Sequence, residues 1–346
     1  MFNPRKTIVR HVANPPDPGV IAEAAALLRR GGLVAFPTET VYGLGANALD
    51  ETAVASIFTA KGRPPNNPVI VHVADAASAR QLTTHWPDRA ALLAEKFWPG
   101  SLTLILPKSP AIPNAVTAGN QTVGLRVPAH QIALALLRAA EIPIAAPSAN
   151  RSTQISPTIA SHVLRGLDGR IDLLLDAGPT PGGLESTVLD LTTNPPQILR
   201  PGLVTVDQLQ AVIGKVAAPE HTISSATEAL RSPGQLARHY APTAKVLCLT
   251  NESAAENKST IRNLLNTKKR IGWLRLPDSA IEFDADPTTI NIIDMPPDAA
   301  AYSSHLYAAL HELDHAGVDY IVVDLPPTGD AWLAVHDRLR RAASSD

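Results

Sequence analysis

The sequence predicts an α/β protein with one large sheet in a first domain, followed by a small Rossmann-like α/β domain. Three observations carry this. Short runs rich in Val, Ile and Leu alternate with helical stretches along nearly the whole chain. Periodicity fades between residues 216 and 243, in a stretch of small, polar and turn residues, and then restarts. At 346 residues the chain exceeds the usual size of a single core. The expected organisation is a domain over 1–215, an extended connection over 216–243 and a domain over 244–346.

In chain order, Asp17 and Pro18 open a helix through "VIAEAAALLRR" that Gly31 and Gly32 stop. Strand "LVAF" follows, then a helix over 51–60, strand "VIVHV", one helix over 76–96, and strands "LTLIL" and "VGLRVP". A helix over 131–140, strand "PIAAPS", a helix over 158–165 and strands "IDLLLD", "STVLDL" and "PQILRP" complete the first domain. The second reads "KVLCLT", a helix, "RIGWLRL", "TINIID", a helix over 301–316, "VDYIVVDLP" and a last helix.

Hydrophobic residues make up 45% and charged ones 18%, which separates the chain from disordered proteins. The formal net charge of -2 argues against broad electrostatic binding of nucleic acid. The single cysteine, Cys248, excludes an internal disulfide framework, suits a reducing compartment and is assigned to packing. No apolar run is long enough to span a bilayer, and the N-terminal stretch lacks a signal-peptide core, so a cytoplasmic location is expected.

Several corners of the first domain share one design, an apolar strand running into a turn of small polar residues. Ligands of open α/β sheets bind beyond strand ends. "PTETVYGLGAN" offers Thr38, Thr40 and two flexible glycines; "PSANRSTQISPT" offers Ser148, Asn150 and Ser156; "GGLESTV" offers Ser186 and Thr187. With Lys61, Arg63, Arg126 and Arg200 they describe a cationic, hydroxyl-rich pocket on a slightly acidic chain, suited to an anionic small molecule. No GxxxxGK[ST] or GxGxxG loop occurs, so a nucleotide site would be built differently from the common ones.

"KGRPPNNPVIVHV" concentrates the ambiguity. Lys61 and Arg63 either clamp phosphate or merely face a helix C-terminus, where cations are favoured. His72, alternating with Val71 and Val73, is on local pattern a structural strand histidine. "HELDH", His311–His315, matches the two-histidine zinc pattern, but Gly317 follows at once and no third ligand is evident, so a surface helix end is favoured over a zinc hydrolase.

Together the stretches "GGLVAFPTETVYGLGANA", "KGRPPNNPVIVHV", "FWPGSLTLIL", "VGLRVP", "PIAAPSANRSTQISPT", "ESTVLDL" and "ILRPG" resemble, in order, the long two-domain form of the threonylcarbamoyl-AMP synthase family. "SPGQLARHYAPTAKV" and "LYAALHELDHAGVDYIVV" resemble its connection and second domain. The resemblance implies a YrdC-like twisted open sheet with flanking helices, and a reaction joining L-threonine, bicarbonate and ATP into threonylcarbamoyl-AMP and pyrophosphate. It also implies downstream partners that transfer the threonylcarbamoyl group to tRNA, with direct tRNA contact expected to be weak. A double-stranded RNA-binding module without turnover is the alternative, disfavoured by the charge balance.

Residue roles follow from the same resemblance. Lys61, Arg63, Ser148 and Asn150 match its signature tetrad and are expected to be catalytic. Arg63, Asn67, Thr122, Ser148, Ser156, Arg200 and Tyr240 match ATP-binding positions. Thr40, His72, Arg126, Ala146 and Ser186 match threonine-binding positions, with Arg126 suited to a carboxylate. Mg2+ is expected to accompany ATP, without a protein carboxylate cage. The connection is expected to close over the pocket, with His239 and Tyr240 in the lid; Gln235, Leu236 and Ala237 depart from the larger residues usual there.

Overall fold

The computed structural model describes residues 6–219, 229–234, 239–249, 254–279 and 290–344, the first three residues of 254–279 as backbone only. The chain forms two units, residues 1–152 with 156–236, and residues 153–155 with 237–346.

The strands of the first unit are β1 (Ile8–His11), β2 (Val34–Phe36), β3 (Gly43–Asn47), β4 (Val71–His72), β5 (Leu102–Pro107), β6 (Thr122–Arg126), β7 (Ile144–Ala145), β8 (Leu173–Asp176), β9 (Thr187–Asp190) and β10 (Gln197–Arg200). Among the described residues they form one mixed sheet in the order β1-β8-β2-β3-β7-β4-β6-β5-β9-β10. The helices are α1 (Pro18–Arg29), α2 (Glu51–Lys61), α3 (Ala76–Gln81), α4 (Asp88–Phe97), α5 (Asn114–Thr117), α6 (Gln131–Ala140), α7 (Ala160–Leu167) and α8 (Val206–Ile213).

Strand alternation gives the sheet two different faces. On one, Ala35, Leu44, Val71, Leu104, Leu125 and Leu189 pack with apolar residues of α2, α4, α7 and α8 into the main core. On the other, Val34, Phe36, Ile144, Leu173 and Leu175 pack against α1 and α6. Those two helices serve only the β1-to-β7 side. Toward β10, the same face carries a small separate cluster of Ile70, Ile105, Val188 and Leu199. The site is built around that cluster.

Four local readings need correction. The single helix expected over 76–96 is two helices, because Pro87 excludes helical backbone before it and seeds α4, while Asp75 caps α3 at Ser78 N. "GLGAN", read as a flexible turn, is the central strand β3. A Cβ at Gly45 would lie 2.8 Å from both Ile144 Cγ2 and Phe36 Cε1, so this glycine serves close packing. Strand "VIVHV" pairs regularly only at Val71–His72. Finally, β1, α5 and α8 were not expected; α8 begins with a capping box of Thr205 and Gln208.

The second unit contains β11 (Lys245–Leu249), α9 (Ala254–Asn266), β12 (Ile271–Arg275), β13 (Ile290–Asp294), α10 (Ala299–His315), β14 (Tyr320–Asp324) and α11 (Leu333–Ala343). Its sheet runs β11-β14-β12-β13 with every pair parallel, as in a small Rossmann-like domain. Leu249, Ile261, Ile271, Trp273 and Val322 form its core.

Candidate active site

The Lys61 corner begins where α2 stops. Gly62 takes the left-handed conformation at φ 62°, and its N–H with that of Arg63 satisfies the last carbonyls of the helix. The cations are therefore not needed as caps. Lys61, 2% exposed, sends Nζ to the carbonyl oxygens of Ser148 (2.5 Å) and Asn150, with Asn150 Oδ1 at 3.4 Å. Arg63 folds back on the following turn, Nε donating to Asn67 O (3.0 Å) and Nη2 to Asn67 Oδ1 (2.5 Å) and Pro68 O (2.7 Å). Two corners 87 residues apart in sequence thus meet on one ammonium group.

These cations face uncharged oxygens. Burial holds the Lys61 ammonium well below the ordinary lysine range, and repulsion from Arg63 and Arg151 lowers it further. Asn67, fully buried, keeps an Nδ2 with no hydrogen-bond partner among the described residues. Both features favour the arrival of an anion.

The second corner lies at the ends of β4 and β6. Parallel register pairs His72 with Arg126, and antiparallel register pairs His72 with Ile144, placing these side chains on one face. Arg126 donates Nε to Gly100 O (3.1 Å) and Nη2 to Glu39 Oε1 (2.6 Å) and Thr40 Oγ1 (3.1 Å). Thr38 pins that turn, its hydroxyl accepting from Thr40 N and Val41 N and donating to Val41 O. His72 lies edge-on to Phe36 at 6.4 Å. Burial, with Arg126 adding repulsion, pushes its imidazole down to about 3, so it is neutral at physiological pH and its buried Nδ1 makes no hydrogen bond.

A third group sits at the start of β9. Arg200 grips Ser186 with Nε to its carbonyl (3.1 Å) and Nη2 to its carbonyl (3.0 Å) and Oγ (3.1 Å), while Ser186 Oγ lies 2.8 Å from Thr103 Oγ1. Beside it, Ser156 donates to Glu185 Oε1 at 2.5 Å. Ala146 donates its N–H to Ile70 O (2.9 Å), stitching the strand after β7 to the one before β4. Thr122, Gly124 and Arg126 alternate along one face of β6, so Thr122 and Arg126 stand about 13 Å apart. Gly124 keeps the floor between them low: a Cβ there would meet Ile105, Thr103 and Ile70 at 3.1–3.5 Å. Thr122 lines a hollow with Pro68, Ile70, Ile105, Arg231 and Pro233.

The structure thus gathers Lys61, Arg63, Asn67, Ser148 and Asn150 at one corner, Thr40, His72 and Arg126 at another, and Ser186 with Arg200 at a third. Sequence reasoning passed over Glu39, Thr103 and Glu185, although each adjoins or bonds a predicted residue. Of the connection, Leu230 N donates to Asn66 O and Arg231 pairs with Asp190 and Gln197, all within the first unit. Residues 235–237 lie outside the described residues. Tyr240 belongs to the second unit, where its ring packs on Tyr307 (5.7 Å) and beneath the Arg338 guanidinium (5.0 Å).

Among the described residues no group of three or more His, Cys, Asp or Glu could hold a metal ion. In "HELDH", Asp314 accepts hydrogen bonds from the N–H groups of Thr243 and Ala244, and His315 is the exposed last residue of α10. Burial pushes the Cys248 thiol up to about 11, consistent with packing.

Fold and site together define a two-unit α/β protein of the YrdC-like class, with buried cationic corners on a large mixed sheet. A family model described as "Telomere recombination" (Sua5, YciO and YrdC) matches residues 26–202, and one described as "Threonylcarbamoyl-AMP synthase, C-terminal domain" matches 204–344. The chain is 41% identical to the threonylcarbamoyl-AMP synthase of Pyrococcus abyssi, over 97% of this chain and 98% of the relative. It is 45% identical to that of Bacillus subtilis, over 93% and 92%. The crystal structure of P. abyssi Sua5 complexed with L-threonine superposes with a TM-score of 0.89 at 40% identity, covering 97% of this chain and 98% of that one. The chain belongs to the threonylcarbamoyl-AMP synthase family.

Proposed function

We propose that the protein is a nucleotidyltransferase that makes threonylcarbamoyl-AMP and pyrophosphate from L-threonine, bicarbonate and ATP. The observation that carries this is the presence of two buried cationic corners in the first unit, Lys61 and Arg63 gathered with Asn67, Ser148 and Asn150, and Arg126 with Thr40 and Glu39. The P. abyssi relative binds L-threonine, and the near-complete coverage of this chain supports the same amino acid here.

The neutral threonine amine attacks the carbon of carbon dioxide, releasing a proton, or of bicarbonate, releasing water, and a carbamate results. A carbamate oxygen then attacks the α-phosphorus of ATP, and the bond to the departing pyrophosphate breaks. Such chemistry needs positioning and charge stabilisation more than a side-chain nucleophile. Lys61 and Arg63 stabilise the charge on the phosphates, with Ser148 and Asn150 fixing Lys61 through their carbonyls. Asn67, Thr122, Ser156 and Arg200 line the nucleotide side. Arg126 takes the threonine carboxylate, while Thr40, neutral His72, Ser186 and the Ala146 backbone surround the rest. Mg2+ bound with ATP would neutralise part of the phosphate charge, and among the described residues no cluster of His, Cys, Asp or Glu would hold it by itself.

The product supplies tRNA modification through separate threonylcarbamoyl-transfer proteins, and the protein works in the cytoplasm. No helix among the described residues is long and apolar enough to cross a membrane. Purified protein given ATP and bicarbonate should release pyrophosphate only when L-threonine is added. Pyrophosphate release indifferent to threonine, or none, would refute the proposal.

A further inference from the structure

The Arg126 corner contains a carboxylate that the reaction as described leaves without a task. We propose that Glu39 is the anionic half of a clamp for the amino-acid zwitterion: Arg126 takes the substrate carboxylate and Glu39 its α-ammonium. This rests on the assignment of Arg126 to threonine.

Glu39 uses Oε1 for Arg126 at 2.6 Å, while Oε2 is buried and makes no hydrogen bond. An ion pair that served only structure would be expected to satisfy both oxygens, since leaving a buried carboxylate oxygen unmet is costly. The side chain nonetheless keeps 15% of its surface exposed, so the carboxylate can be approached, and rotation about its last bond exchanges the two oxygens. Arg126 shows the complementary pattern. Its Nε and Nη2 are engaged by protein, and Nη1 makes no hydrogen bond among the described residues.

The two charges are adjacent, as they must be for a ligand whose carboxylate and ammonium share one carbon. Their positions are also fixed. Gly182 N donates to Glu39 O at 2.9 Å, and a Cβ on Gly182 would lie 2.6 Å from that oxygen, so the backbone here is held by close contact. His72, kept neutral, does not repel the ammonium. The Lys61 ammonium is met instead by the uncharged oxygens of Ser148 and Asn150. A polyanion needs no acid, whereas a zwitterion bound by arginine alone would leave its ammonium without a counter-charge.

The test compares binding of L-threonine with binding of 3-hydroxybutyrate, which keeps the carboxylate and hydroxyl but lacks the ammonium, using the full-length protein and calorimetry. Wild type should prefer threonine by about tenfold or more, the usual weight of a charge-assisted hydrogen bond. Glu39→Gln should erase that preference while changing 3-hydroxybutyrate affinity less than about threefold, and Glu39→Asp should retain part of it. Parallel weakening of both ligands in Glu39→Gln would reduce Glu39 to a positioner of Arg126 and overturn the clamp. Equal affinities in wild type would overturn it without any variant, which covers the case in which Glu39→Gln does not fold. Absence of threonine binding to wild type would instead overturn the threonine assignment itself.

Discussion

The Lys61 and Arg126 corners are both cationic and buried, yet they differ in how their charge is met. Lys61 faces carbonyl and amide oxygens. Arg126 faces a carboxylate at 2.6 Å. The difference teaches what each corner is built to receive. A cation met by neutral oxygens suits a polyphosphate, whereas a matched cation and anion suit an amino acid.

The largest effect that could break this contrast is expected at Lys61. Lys61→Ala should lower turnover by about a thousandfold, the scale of removing one transition-state charge contact, with the threonine KM little changed. Steady-state pyrophosphate release measures both. At the other corner, Arg126→Ala should raise the threonine KM by about a hundredfold while leaving ATP use nearly intact. Comparable, small effects from both variants would dissolve the distinction.

A third prediction concerns pH. The buried His72 has a folded-state pKa of about 3, below its unfolded value near 6.5, so the unfolded chain takes up a proton first as pH falls. The stability tied to neutral His72 is complete above 6.5 and is lost between there and about 3, on the order of a few kcal/mol in all. Urea unfolding at several pH values should show this slope, and His72→Gln should flatten it. Lys61 has the same sign in a different window, because its lowered pKa makes it lose stability as pH falls from the lysine range. The smallest expected effect is at Gly45→Ala, whose Cβ would collide with Phe36 and Ile144 beneath the site. It should cost about 1–3 kcal/mol in unfolding free energy without separating the two corners kinetically.

Much of this was legible in the sequence because polar turns after apolar strands declare themselves locally. Ser148, Arg126 and Ser186 stand in such turns or at strand ends, and Lys61 stands at the end of α2. Their partnerships were not legible, since Lys61 meets Ser148 and Arg126 meets Glu39 only through the order of the sheet. Lys61 and Arg63 were ambiguous with helix capping until Gly62 and the Arg63 N–H were seen to satisfy the helix end. Glu39 escaped notice because a single acid among threonines looks like turn chemistry. The glycines of "GLGAN" misled for a related reason, as the demand for no side chain at Gly45 comes from Phe36 and from Ile144, 99 residues later. Pro87, by contrast, was a local signal whose helix-breaking meaning was underweighted.

The most direct test of the two-corner account follows ¹³C-bicarbonate into threonylcarbamoyl-AMP with Lys61→Ala and Arg126→Ala side by side, at low and at high threonine. The account predicts that high threonine restores labelled product in Arg126→Ala and not in Lys61→Ala. Recovery of both variants, or of neither, would contradict it.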